Sequence, residues 1–434
     1  MAKDREARLL GPWMTLALVI SGVVGVGIFY LPIALAPLGG SVPLGWLISG
    51  VGVMAMAYCA SRIVTPDGGG IQAYVEHELG PGAGFMVTWM TWCSTCVGNP
   101  AVALAAAAGL ASIVPGLSGH LVLLGAAFFV VLTLVNLRGI TAVGELAIVT
   151  VLIKVLPLIA VVVIAAMLGS GGGAPLNPID VPPPSFGNIA TASALCLFAL
   201  TGFEFSLSPV GKIRNPERNL ARALVFGLAG IAIAYLLVTL SLSLIMPNAA
   251  IAKSIAPFPE AIGTYWGRVA GLLAAVAMVV SAFGTLNASI LACGEMLYSM
   301  ALRNDMPRFF NRTNRFNAPY AAQLASVTLG FILLGLNEAK GTTQLFTFIT
   351  LLAADAVLYL YSAAAIAAAI KDKRLSTTIA CIVGLAFVLF AFYGSGLEAF
   401  LLSLGLLTAG GLIFLVRKPW TSRAPVVVAG EPVE

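Results

Sequence analysis

Histidine is almost missing from this chain, with only His77 and His120 among 434 residues. That argues against a metal or catalytic centre built on imidazole. Charge is equally scarce: Asp, Glu, Lys and Arg make up 9% of the residues and hydrophobic types 59%, where a soluble globular domain carries about 25% charged residues. A mean hydropathy of +1.00 excludes an ordinary soluble domain. The net charge of +5 is not gathered into a basic run, so no nucleic-acid footprint is present. Cysteines number six, all inside apolar runs. Cys93 and Cys96 form a C-x-x-C, but with no histidine spaced to share a metal they read as small core residues, and neither metal nor cofactor is expected.

What the chain does have is long apolar runs. A hydrocarbon core of about 30 Å takes roughly 20 apolar residues per helix, and about twelve such runs are legible. They lie near 13–36, 42–63, 83–113, 119–138, 143–168, 189–211, 220–246, 266–300, 319–336, 344–370, 375–395 and 398–416. The expected fold class is an all-α polytopic membrane protein. No small-residue cleavage site follows the first run, so it is read as a span rather than a cleaved signal. With the N-terminus in the cytoplasm, all of the 23 Lys and Arg except Lys154, Lys253, Arg268 and Lys340 fall in cytoplasmic segments. The positive-inside rule thus predicts an even number of spans, both termini cytoplasmic and an inner-membrane location.

Two of these runs contain residues that disfavour a helix. "SGVVGVGIF", 21–29, places Gly22, Gly25 and Gly27 in the middle of the first span. Such glycines serve close helix packing as readily as a break. The sixth span decides between the two: "FALTGFEFSLSPVG", 198–211, puts Thr201 and Gly202 at mid-depth, Glu204 just beyond and Pro209 further on. An acid and a glycine there are costly unless they face a cavity. A shift of five spans relates the two interruptions, the pattern of two five-helix repeats of opposite topology whose broken helices meet at a substrate. Released N–H groups favour an anion and released carbonyls a cation, and a zwitterionic amino acid presents one of each.

With "SGVVGVGIFYLP…LGG", "PDGGGIQAYVEHELGP" (66–81), "GFE…KIRNPERNLARA" (202–223) and "MALRNDMPRFF" (300–310) in this order, the chain resembles the amino acid–polyamine–organocation superfamily, and within it the arginine:agmatine-type antiporters and related permeases. The resemblance implies twelve helices in a 5+5 inverted repeat with discontinuous helices 1 and 6. It implies a cytoplasmic segment 1–12, a first repeat 13–168, a second repeat 189–370, two further helices in 375–416 that support dimer contacts by analogy, and a cytoplasmic tail 417–434. Carried over, the backbone of Gly25, Val26 and Gly27 holds a substrate carboxylate, while carbonyls of Val23, Phe198 and Thr201, next to Gly202, receive its ammonium. Phe198 matches the aromatic gate, Glu204 an acid of gating and pH response, and Asn99 a pocket-lining polar residue. Lys154 matches a lysine whose ammonium replaces a sodium ion between spans one, five and eight and braces the first break.

Three positions depart from the pattern: Val26 where Ser is usual, Ser289 near which the arginine antiporters carry a stacking Trp, and Ala221 for Pro. Losing that cation–π platform argues against arginine. Asp355, in "LLAADAVLYLY", is either a neutral group in helix packing or a pocket residue for a cationic cargo or a proton. Glu295 reads as structural. The expected function is secondary active transport of amino acids, neutral ones by exchange or proton coupling, with protons, the lipid bilayer and a homodimer contact as the other expected partners and no nucleic acid. A basic amino acid or polyamine antiporter is the alternative if Asp355 faces the cargo. A membrane enzyme lacks its paired-acid, Ser/Lys or His-rich constellation, and a channel has no need of two broken helices.

Overall fold

The computed structural model describes residues 11–25, 27–64, 70–138, 141–170, 183–207, 213–335 and 342–416, with backbone alone for 141–152, 217 and 342. Val26, the segments 1–10 and 417–434 and Lys212 lie outside the described residues. Helices begin where the sequence supplies chain-turning residues. α1 (Pro12–Val23) has proline in its first turn, where the missing N–H costs nothing, and α2 (Gly27–Leu35) follows. A 3₁₀ turn leads to α3 (Val42–Ile63), then α4 (Gly70–Leu79). Gly80, at φ +86°, turns the chain into α5 (Pro81–Ile113).

Next come α6 (Leu121–Asn136), α7 (Thr141–Gly169), and α8 (Phe186–Leu200), whose Ser185 hydroxyl accepts the Asn188 N–H at 3.3 Å as an N-cap. A left-handed Asn215 precedes Pro216 at the head of α9 (Pro216–Ile245). The short α10 (Asn248–Lys253) and α11 (Pro257–Trp266) lead to α12 (Arg268–Leu302). The last three are α13 (Tyr320–Gly335), α14 (Thr342–Lys371) and α15 (Leu375–Val416).

Among the described residues, seven stretches of helix are long and apolar enough to cross a membrane, with shorter apolar helices beside them. Their depths in the bundle differ. The most apolar window of α5 is 83% buried inside the protein and that of α14 is 78%, against 28% for Pro115–Asn136 and 33% for α15. α5 therefore forms an inner post, packed chiefly on α12 and α14. α15 presents large apolar side chains outward, Leu375, Leu389, Leu397 and Leu412 among them. Apolar surface on that scale is lipid-facing in a membrane protein.

α15 is two arms rather than one rod. Gly396 at φ +82° interrupts it, and Tyr359 of α14 touches both sides of the interruption, the Phe392 ring at 5.3 Å and the Ser403 hydroxyl at 3.2 Å. The chain doubles back there as a hairpin. At the far end of α14, Arg62 Nε meets Asp372 Oδ2 at 2.7 Å and Lys371 donates to the Ile63 carbonyl at 3.0 Å; this is called the basic end below.

Candidate functional site

The first span stops and restarts. Val24, after α1, takes extended torsions (φ −70°, ψ 93°) while its N–H still bonds the Ile20 carbonyl at 2.9 Å, and helix resumes only at Gly27. The second interruption falls after Leu200. Thr201 is extended, Gly202 stands at φ +105°, and a 3₁₀ turn, Phe203–Leu207, follows. Among the described residues, the span read from the sequence as 189–211 is thus α-helical only to Leu200.

The two breaks touch through bare backbone. A Cβ on Gly202 would run into the Gly22 carbonyl oxygen, and one on Gly22 would stand 3.0 Å from the Gly202 oxygen. A side chain is excluded at Gly202 twice over, by contact and by its left-handed torsion.

Each break leaves one polar group that a charged side chain takes up. The Lys154 ammonium, on a buried side chain of α7, donates to the Val24 carbonyl. Glu204 Oε2 accepts the Gly202 N–H at 2.9 Å and the Tyr361 hydroxyl at 2.8 Å, and the Tyr361 ring stacks on Phe203 with centroids 5.0 Å apart. The second break is thereby tied to α14.

Between the breaks lies a cavity of about 150 Å³. A water takes about 30 Å³ of liquid, so the space suits a small molecule and no peptide. Of the residues singled out from the sequence, Val23, Gly25, Gly27, Asn99, Phe198, Thr201, Gly202, Glu204 and Ser289 line it. Lys154 and Asp355 do not. Phe198 crosses the space, its ring 3.4 Å from the Cβ positions of both Gly27 and Gly98, so glycine at those two sites makes room for it. Asp355 is fully buried on the α15 side of α14 with Ser395 beside it, while Val357 of the same helix lines the cavity.

Several lining residues were not singled out beforehand, Thr95, Gly98, Thr285 and Tyr235 among them. Thr95 and Gly98 extend Asn99 and Val102 into an i, i+3, i+4, i+7 stripe on α5, and Thr285 stands one turn from Ser289 on α12. That polar spacing was a usable signal. Tyr235 of α9 had none: it sits in an unbroken apolar run, and only the fold turns it to the cavity, its ring braced edge-on by Trp46 at 5.5 Å. The Asn99 amide reaches the Cys293 sulfur at 3.7 Å. Among the described residues, Glu204 is the one carboxyl in the lining, and no Lys, Arg or His joins it.

The family model for amino acid permeases matches residues 10–422. The chain belongs to the amino acid permease family. This permease is 27% identical over 399 residues to the putrescine transporter PotE of Haemophilus influenzae, covering 88% of this chain and 91% of that one. It is 26% identical over 376 residues to a probable GABA permease of Pseudomonas aeruginosa (83% and 78% covered). To the cadaverine/lysine antiporter of Escherichia coli K12 it is 26% identical over 343 residues, 77% of each chain. The permease is accordingly a multi-pass membrane protein of the amino acid–polyamine–organocation superfamily, as its motifs suggested.

Proposed function

We propose that the protein is a secondary transporter that moves a small amino acid across the inner membrane by alternating access, with its cargo held between the two helix breaks. The observation that carries this reading is the cavity bounded by both interruptions at once. The backbone of Gly25 and Gly27 takes the cargo carboxylate, carbonyls at Val23, Phe198 and Thr201 take its ammonium, Phe198 closes over it, and Glu204 and Lys154 hold the breaks through the cycle. Twelve spans, ten of them in two inverted five-helix repeats, 13–168 and 189–370, and two more in 375–416, with both termini cytoplasmic, complete the reading. The packing supports it: α1 lies on α9 as α8 lies on α3, and α5 lies on α14 as α12 lies on α7, pairs that interchange when the two repeats are swapped.

A neutral side chain is the first choice for the cargo, because the wall facing it is made of Val102, Ser289, Thr285 and Val357, and Asp355 is not in it. A second reading, a diamine or basic amino acid, is favoured by the lining having a carboxyl and no cation, and the relatives named for putrescine and cadaverine/lysine agree with it. Counterflow in proteoliposomes separates them. Vesicles preloaded with the twenty amino acids plus putrescine, cadaverine and agmatine are offered each compound in turn as external label. Uptake of neutral amino acids alone is expected, uptake of diamines or lysine moves the conclusion to the second reading, and no uptake of any label overturns transport by exchange.

A further inference from the structure

Asp355 is the buried titratable group that the cargo cavity leaves unused. Its exposure is 0%, and neither carboxyl oxygen has a hydrogen-bond partner among the described residues. The polar groups beside it are Ser395, on the first arm of the α15 hairpin, and Tyr359, one turn further along α14. Both hydroxyls have already given their protons away. Ser395 donates to the Phe392 carbonyl at 2.9 Å. Tyr359 donates to Ser403 at 3.2 Å, whose own proton goes to the Phe400 carbonyl at 2.8 Å. A carboxylate could draw on Ser395 only by taking its proton from the Phe392 carbonyl, whereas a carboxylic acid finds an acceptor in Ser395 as it stands.

Nor does any neighbouring element supply a cation. α2 and α8 carry only Tyr30 and Cys196 as titratable groups, and α5 only Cys93 and Cys96. Arg62 of α3, with Tyr58 and Cys59, and the titratable groups of α4 belong to the basic end, where Arg62 is spent on Asp372. Across the α14 helix, Glu204 is engaged by Tyr361. α15 adds Cys381, against Cys59, then Tyr393 and, past Gly396, the exposed Glu398. An unpaired, dry carboxylate is among the costliest groups to bury, so the surroundings match Asp355 with a proton and oppose it without one.

We propose that Asp355 is a proton-binding site outside the cargo cavity, loaded in this conformation and discharged in another, in which the contact between α14 and the α15 hairpin admits water. On discharge the carboxyl O–H bond breaks, the proton passes to water, and water donates to the carboxylate in its place. Because α14 also carries Tyr361, which grips the second break through Glu204, loading at Asp355 and the state of the cavity share one helix. The proposal rests on the transport reading above.

The test uses the full-length protein in proteoliposomes, with whichever of the twenty amino acids, putrescine, cadaverine or agmatine gives counterflow as label. Asp355→Asn, which keeps the size and removes the titration, is expected to retain counterflow within about twofold while accumulation driven by a pH gradient falls at least about tenfold. A variant that accumulates label as the unmodified protein does overturns the proposal, and so does unmodified protein that exchanges but shows no pH-driven accumulation. Unmodified protein with no counterflow overturns the transport reading itself. Should the variant lose its thermal transition in detergent, the unmodified protein decides. A hydrophobic carbodiimide, which adds to protonated carboxyls, is expected to label the Asp355 peptide at neutral pH and less at alkaline pH, and no labelling rejects the site.

Discussion

The two helix breaks are held by opposite charges acting on opposite backbone groups. At the first, an ammonium from α7 takes up the Val24 carbonyl; at the second, a carboxylate only two residues along the chain takes up the Gly202 N–H. The braces differ in reach. Lys154 comes from 130 residues away, so the first break is tied to α7. Glu204 travels with the turn it holds and hands the connection to α14 through Tyr361. One break is fixed by its surroundings, the other carries its own brace. A membrane protein solves the same problem, a polar backbone group stripped of water, once by long-range and once by local means.

That contrast predicts a graded set of effects. The largest is at the shared crossing. Gly202→Ala puts a Cβ against the Gly22 oxygen at a torsion that costs a non-glycine residue about 1–3 kcal/mol by itself, so counterflow is expected to vanish and the melting temperature in detergent to fall. A variant that transports at half the normal rate or better would mean that the backbones do not meet during the cycle.

Next come the braces. Lys154→Met strips the Val24 carbonyl of its donor, a loss of about 1–3 kcal/mol, while relieving the burial of a charge. Transport is expected to drop about tenfold or more, with little change in melting temperature. Glu204→Gln keeps an acceptor for both the Gly202 N–H and Tyr361, so a drop of only about two- to fivefold is expected. Equal losses in initial counterflow rate would erase the distinction between remote and local brace.

The smallest effect is outside the breaks. Burial alone would raise the Asp372 carboxyl, but Arg62, Thr377 and the Arg374 N–H hold it below its ordinary value. A carboxyl depressed in the folded state stabilises above its unfolded value of about 3.9 and ceases to as pH falls through the folded one. Melting temperatures recorded from neutral to acid pH should therefore converge for the unmodified protein and Asp372→Asn at the acid end, and separation by a constant offset would refute the linkage.

Much of this was legible beforehand because lipid makes polar residues conspicuous. Gly25, Gly27, Thr201 and Gly202 stood out where a helix has no water to repair it, and the structure interrupts the helix between Val23 and Gly27 and again after Leu200. Lys154 stood out as a charge amid apolar residues, and its reach to the first span was expected. The helix boundaries of α5, α7, α9 and α14 lie within a few residues of the apolar runs. The direction of Asp355 was not readable. In a helix apolar on every side, one carboxyl has no polar face to be phased against, and only tertiary packing turned it to the α15 hairpin. Tyr235 escaped notice for the same reason. The short helices α4, α10 and α11 lie in connections, where no hydrophobic period announces them.

The bare contact of Gly22 on Gly202 makes the crossing behave as a bearing without teeth. Two half-helices meeting through side chains must step from one rotamer register to another when they turn; these meet through backbone atoms, with no rotamer at the contact. Nothing at that point can be tuned by a change of side chain, so an engineer wishing to alter the cargo has the walls to work with, Asn99 and Val102 on one post and Thr285 and Ser289 on the other, and can rewrite them while the pivot stays as it is.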